Sequence, residues 1–199
     1  MSEVVLDITM SIDGYVAAPN DVPGNGLGDN GEVLHYWVFG GPWTYDSTRE
    51  FEQVGVDRQV FEEATTNNGA AVVGRRMYDI TDGWGGSPPF GIPCVVVTHR
   101  VDEAPDPATK FEFVNGVEAA VTRAKQIAGE RDVNIGGGAS VAQQVLTAGL
   151  VDRLNLHVAP VILGAGLSLF GELGARLHLE HTRTLESPYA THLTYRVLR

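Results

Sequence analysis

The sequence predicts an α/β fold: a largely parallel sheet with an antiparallel C-terminal hairpin on its edge. Short β-branched apolar runs alternate with segments of helical period up to residue 149, which is the signature of βαβ units. Beyond that point three strand-like runs follow one another with no helix between them. The chain has 199 residues, 43% of them hydrophobic, so one domain, 1–199, is the expectation, and a full core is available without staples.

The first run, Val4-Val5-Leu6-Asp7-Ile8-Thr9-Met10, stops at Ser11-Ile12-Asp13-Gly14 and reads as a buried strand entering a turn. Residues 18–55 hold Pro19, Pro23 and Pro42 with Gly24, Gly26, Gly28, Gly31, Gly40 and Gly41, interleaved with the aromatics Trp37, Phe39, Trp43 and Tyr45. A loop of that length in a small domain is functional or disordered, and its aromatics favour packing; a short helix fits within 32–39. From Asp57 the positions Val60, Phe61 and Ala64 recur at helical spacing until Asn67-Asn68-Gly69 stops them. Ala70–Gly74 is a strand ending at Arg75-Arg76, and Cys94–Thr98 is a second ending at His99-Arg100. Residues 117–128 are a helix with Val117, Ala120, Val121, Ala124 and Ile127 on one side. Val133–Ile135 is a third strand, closed by Gly136-Gly137-Gly138 and followed by an amphipathic helix over 139–149. Strand-like runs at 152–162, 177–186 and 191–198 complete the chain, the last two joined by Ser187-Pro188-Tyr189-Ala190.

The formal net charge of −11 argues against a nucleic-acid binder, which needs a basic face. The acidity is uneven: residues 1–66 carry a balance of −10, with only Arg49 and Arg58 as bases, and the remainder a balance of −1. A phosphorylated ligand therefore finds its cations in the last two thirds, where arginine dominates and suits forked phosphate contacts. Cys94 is the only cysteine, so neither an internal disulfide nor a Cys-rich zinc site can form. No apolar run approaches a membrane span and the N-terminus lacks a secretory pattern, so a cytoplasmic protein without a membrane partner is expected.

Three parallel strands end in residues suited to phosphate, and ligands of open α/β sheets bind outside the carboxyl ends of strands. Gly136–Gly138 opens a helix whose free N–H groups and dipole favour a pyrophosphate. Arg75, Arg76, His99 and Arg100 supply charge beside it, and a basic residue after such a strand favours the 2′-phosphate of NADP. Alternatively, the glycines form only a tight turn and the arginines are solvated. Gly26–Gly31 matches G-x-G-x-x-G literally but follows Asn20-Asp21-Val22-Pro23 instead of a strand, so it reads as loop. There is no nucleophile elbow and no Walker A. His178 and His181 fall on opposite faces of their strand and cannot share a metal there, and no metal site is expected. His157 and His192, also in strand-like runs, read as structural or surface residues.

The order of four motifs is recognisable: Ser11-x-Asp13-Gly14, Val72-Val73-Gly74-Arg75-Arg76, Val96-Val97-Thr98-His99-Arg100 and Ile135-Gly136-Gly137-Gly138. With Gly149-Leu150-Val151-Asp152 and Pro160–Gly164, they make the chain resemble the dihydrofolate reductase-like superfamily. The resemblance is nearest to stand-alone relatives of the reductase domain of the bifunctional riboflavin-biosynthesis deaminase/reductase. It implies a three-layer fold, a central mixed sheet of about eight strands between helices, a homodimer, and NADPH lying across the C-terminal strand ends. On that resemblance Ile135, Gly136, Gly137, Gly138, Ser140 and Val141 hold the pyrophosphate turn. Gly74, Arg75 and Arg76 meet phosphate, and Thr98, His99 and Arg100 meet the adenosine ribose and its 2′-phosphate. Met77 stands where those reductases carry a threonine, which removes one polar phosphate contact.

The resemblance places a substrate carboxylate on the helix before the Gly-Arg strand, which points to Asp57; its bland reading is an acid stabilised by the helix dipole. Asp13 is the rival, although a turn aspartate often bonds its own backbone. The expectation is hydride transfer from NADPH to a C=N or C=O of a pterin-like or pyrimidine-like heterocycle, with Asp57 or Asp13 orienting substrate or assisting protonation and Trp37, Trp43 or Trp84 stacking on it. The alternatives are reduction of the ribosylaminopyrimidine of riboflavin synthesis, or NADP binding without turnover.

Overall fold

β1 (Val4–Ser11) is buried along nearly its whole length, so both of its faces must be covered, and it is placed accordingly at the middle of the molecule. In this computed structural model, which describes residues 2–47, 51–171, 173–174 and 176–198, β1 pairs in parallel with strands on each side. After β2 (Tyr15–Ala17) come α1 (Tyr36–Phe39), α2 (Gly55–Asn67), β3 (Asn68–Gly74), α3 (Arg75–Ile80), β4 (Cys94–Val97) and β5 (Phe111–Val114). Next are α4 (Val117–Ala128), β6 (Asp132–Gly137), α5 (Ala139–Thr147), β7 (Arg153–Ala159), β8 (Leu167–Ser168), β9 (His178–Glu186) and β10 (Thr191–Leu198). The main sheet has eight strands in the order β5-β4-β3-β6-β1-β7-β10-β9, with β2 and β8 forming a small antiparallel pair.

The expected parallel sheet with an antiparallel C-terminal hairpin is what forms: β3, β4, β5, β6, β1 and β7 run parallel, while β10 and β9 are antiparallel. Ser187–Ala190 turns the hairpin, with the Ser187 amide donating to the Ala190 carbonyl at 2.9 Å. Four elements were not anticipated: β5 and the β2–β8 pair are strands too short to show a period, and the six-residue α3 follows directly on β3, where the strand was expected simply to end. Helices cover both faces. On one, α4 and α5 bury Val117, Val121, Ala124, Val141, Val145 and Leu146 against Val4, Leu6, Val72, Val133, Ile135 and Leu154. Each valine, leucine or isoleucine among them contributes about 1.5–3 kcal/mol on leaving water. On the other, α3 packs Met77 and Tyr78 against Val73, Val96, Phe111 and Phe113, while α1 and α2 bring Trp37 and Val60 onto the sheet.

The sheet under α2 is polar, which is unusual for a covered face. Asp7 and Thr9 of β1, Asn155 and His157 of β7, and His192 of β10 share it, and their hydrogen bonds are what make that burial tolerable.

Candidate functional site

The C-terminal ends of β3, β4, β6 and β1 lie along one rim of the sheet, and the sequence motifs converge there. β6 sits between β3 and β1, so Gly136–Gly138 emerges at the centre of that rim. Gly137 has φ +119°, a conformation open to glycine. Gly138 is the N-cap of α5, and nothing lies within 4 Å of where its Cβ would be. The first turn of α5 carries no acid, and no side chain caps it, so its leading N–H groups are available to an anion. Gly74 allows β3 to pass close beside this turn: a Cβ there would stand 3.1 Å from Val141 Cγ2.

The arginines at the rim are not bare charges. Arg75 Nε donates to Asp79 at 2.7 Å and Nη2 to Glu103 at 2.7 Å, while its guanidinium lies 5.0 Å from the centre of the Phe113 ring. Arg100 reaches the same two acids, Asp79 at 3.3 Å and Glu103 at 3.4 Å. Two arginines and two carboxylates thus close a neutral quartet. Arg75 Nη1 is buried without a partner, one donor left over for an incoming oxygen. Arg76 points elsewhere, forked onto Asp21 of the long loop at 3.0 and 3.1 Å. Thr98 Oγ1 accepts the Arg100 amide at 3.0 Å, fixing the bend after β4, and His99 Nδ1 pairs with Asn115 at 2.8 Å. Ile135 is fully buried and Val141 nearly so, so either could meet a ligand only through its backbone.

Asp57 stands in the first turn of α2 but is only 1% exposed. The dipole reading of this acid is incomplete, because its Oδ1 accepts from His192 Nε2 at 2.8 Å. His192 Nδ1 meets His157 Nδ1 at 2.8 Å, and His157 Nε2 meets Asp7 Oδ1 at 2.9 Å. Asp7 Oδ2 accepts from the Asn155 amide at 2.8 Å. Burial opposes ionisation of Asp7, but the facing His157 and Asn155 outweigh it and hold the carboxyl below its usual range. Burial likewise pushes His192 below the ordinary imidazole value, offset only in part by Asp57. His157 and His192, expected as structural or surface residues, are a buried coupled pair. Their signal in the sequence was alternation: Arg153, Asn155 and His157 are the polar positions of β7, with Leu154 and Leu156 between them.

Asp13 bonds its own backbone amide, as a turn aspartate was expected to do, and reaches further. It accepts from Ser11 Oγ at 2.6 Å and from the amides of Leu163 and Gly164 at 3.1 and 2.7 Å, clasping the end of β1 to the segment after β7. The Ser11 hydroxyl foremost, then the two amides, hold its carboxyl below the usual range. Both oxygens are occupied by this clasp.

The long loop is packed, as its aromatics suggested. Trp37 is buried, donating to Thr9 Oγ1 at 3.0 Å and covering His157 at a ring separation of 4.5 Å. Trp84 stacks on Phe111 at 6.1 Å. Of the three tryptophans only Trp43 joins a surface-reaching aromatic run, 4.2 Å from Phe39, which leads through Phe51 and Phe61 to Phe90. The literal G-x-G-x-x-G is packing: a Cβ at Gly28 would meet the Ala18 carbonyl at 2.2 Å, and one at Gly31 the Leu27 side chain at 2.9 Å. Arg49 lies outside the described residues. No helix among the described residues is long and apolar enough to cross a membrane.

Comparison with known proteins places this geometry. The model of the RibD C-terminal domain matches residues 2–193. Two uncharacterized proteins of Bacillus subtilis (strain 168) are similar over part of their length: YyaP is 39% identical over 59 residues, 29% of this chain and 31% of that protein. YwjB is 32% identical over 103 residues, 51% of this chain and 58% of its own length. Among solved structures, a putative riboflavin biosynthesis protein from Shewanella sp. PV-4 superposes with a TM-score of 0.72 at 21% identity, covering 99% of both chains. Dihydrofolate reductase from Enterococcus faecalis, complexed with NADP(H), gives 0.63 at 19% identity over 98% of this chain and 96% of that one. A pyrimidine reductase-like protein from Corynebacterium diphtheriae gives 0.62 at 16% identity over 100% and 92%. These structures share the three-layer fold that the motif order implied, and the family match extends over nearly the whole sequence: this chain belongs to the RibD C-terminal domain family.

Proposed function

We propose that the protein is an NADPH-dependent oxidoreductase that passes a hydride to a C=N or C=O carbon of a pyrimidine-like or pterin-like heterocycle. The observation that carries this reading is the rim itself. An uncapped helix N-terminus behind the open Gly138 adjoins two arginines, one with an unpartnered donor. Backbone amides at Gly138–Val141 would hold the pyrophosphate. Arg75 and Arg100, with Thr98 and His99 at the same strand end, would hold the 2′-phosphate and ribose. Arg76, tied to Asp21, would couple phosphate to the long loop. NADPH supplies the hydride, and the protein aligns donor and acceptor and excludes water. The aromatic run Trp43, Phe39, Phe51 and Phe61 offers a flat heterocycle a stacking surface.

Of the two heterocycles, the aminopyrimidine of riboflavin synthesis is favoured by the family match and by the pyrimidine reductase-like likeness. We place the protein in the cytoplasm, and we expect the exposed face of β9 and β10 to pair two copies. Calorimetric titration with NADPH and NADH, in the wild type and in Arg100→Ala, tests the cofactor site. NADPH binding that the substitution weakens supports it; absence of binding by either dinucleotide removes it. Oxidation of bound NADPH by a ribosylated aminopyrimidine, and not by dihydropterins, then decides the substrate.

A further inference from the structure

Four titratable groups stand in one line from α2 across the sheet to β1. Asp57 Oδ1 meets His192 Nε2 at 2.8 Å, His192 Nδ1 meets His157 Nδ1 at 2.8 Å, and His157 Nε2 meets Asp7 Oδ1 at 2.9 Å. Each contact needs one proton between its heavy atoms, since two bare lone pairs repel. Two neutral imidazoles bring two protons and two carboxylates bring none, so a line with all three bonds made holds one proton more. We infer that this third proton sits on His157 and is the store from which Asp57 is made an acid for the reduction, an inference that rests on the reductase reading.

With the proton on His157, that ring donates from both nitrogens, to His192 Nδ1 and to Asp7. His192 is then neutral and donates from Nε2 to Asp57. A concerted shift moves the His157 Nδ1 proton to His192 Nδ1 and the His192 Nε2 proton to Asp57 Oδ1. Two of the three bonds exchange donor and acceptor, and none is lost. His157 ends neutral, still donating to Asp7, and Asp57 ends as a carboxylic acid. Reducing C=N or C=O adds a hydride to carbon and one proton to nitrogen or oxygen, and the store supplies that proton without drawing water into the buried site. Asp57 lines one cavity, of about 420 Å³, beside Gly40 and Tyr189. Asp7 and His157 line another, of about 370 Å³, under α2, from whose side the spent proton can be replaced.

The surroundings fit one positive charge at His157. Asp7 faces it from β1, His192 from β10, and the neutral Asn155 lies beside it on β7. Arg153 on the same strand is engaged with Glu3 and Asp132, and on the cavity wall Glu63 of α2 is paired with Arg183 of β9. His35, in the turn before α1, is held neutral, pushed down to about 4 by burial first and by His157 second. Trp37 closes the remaining side.

The test is nitrogen NMR of the histidine rings in the labelled, cofactor-free wild-type protein at neutral pH, which reads protonation of each ring nitrogen directly. Both His157 nitrogens are expected to carry hydrogen, with His192 protonated at Nε2 alone. Asp7→Asn, which keeps an acceptor and removes the countercharge, is expected to strip His157 of its second proton. A wild-type His157 with one bare nitrogen overturns the proposal, as does an Asp7→Asn spectrum unchanged from wild type. Neither reading needs the dinucleotide, so failure of cofactor binding and failure of the proton store show up separately.

Discussion

Gly74 and Val141 meet across the seam between β3 and α5, where a side chain at 74 would begin 3.1 Å from Val141 Cγ2. That contact fixes how near the Arg75 strand end lies to the glycine turn. A larger residue must push α5 away or distort β3. Gly74→Val is expected to lower stability by about 1–3 kcal/mol through overpacking, read as a fall in the urea midpoint. NADPH affinity should fall with it, because the two halves of the rim separate.

Gly138 has the opposite surroundings, with nothing within 4 Å of its Cβ position. Gly138→Ala therefore puts a methyl group into the space a pyrophosphate would use. Calorimetry should show tenfold or greater loss of affinity for NADPH and NADH alike, with the far-ultraviolet circular dichroism unchanged. Undiminished binding would move the pyrophosphate away from this turn.

The acids of the rim set the next expectation. Asp79 and Glu103 each bridge Arg75 and Arg100, so a 2′-phosphate competes with two carboxylates already in place. Glu103→Gln removes one competitor and leaves the arginines. NADPH should bind several-fold more tightly to this variant while NADH affinity stays within twofold, since only NADPH carries the added phosphate. Equal change for both cofactors would place the 2′-phosphate elsewhere.

His35 gives a pH dependence. Its imidazole has an ordinary value of 6.5 and is pushed to about 4 in the folded protein, by burial first. Between those values the unfolded chain takes up a proton that the folded chain refuses, so stability falls as the pH drops from 6.5 towards 4 and flattens below. The upper bound is about 3 kcal/mol for this single group. His35→Gln should remove that slope from a plot of denaturation midpoint against pH, whereas a slope unchanged by the substitution would assign it to other groups.

Much of the rim could be read from the chain because each part is local. β3 and β6 are short apolar runs that end at glycine, β4 is one that leads into Thr98-His99-Arg100, and Gly136–Gly138 adjoins its helix in sequence. The strand β5 escaped notice because Phe111–Val114 is four residues long with one polar position. Asp79 stands four residues after Arg75 on α3 and is the pairing that helical spacing suggests; Glu103 comes from a separate turn after β4 and gives no such signal. The line from Asp57 to Asp7 was hidden for the same reason. His157 and His192 are opposite one another only through the register of β7 against β10, and that register depends on where the Ser187–Ala190 turn falls.

The central place of β1 bears on how the chain is made. Val4–Ser11 is synthesised well before the strands it pairs with, since its neighbours are β6, beginning at Asp132, and β7, ending at Ala159. Its N-terminal end is tied to equally distant parts of the chain, the Glu3 amide to Asp132 and the Val4 amide to Asp152. At roughly 5–20 residues per second of translation, the nascent segment waits on the order of ten seconds or more before either edge partner exists. During that interval an apolar strand with two unsatisfied edges is a binding site for chaperones, and pairings of such long sequence separation also slow refolding in vitro. Asp7 in the middle of that strand interrupts the apolar run while it waits.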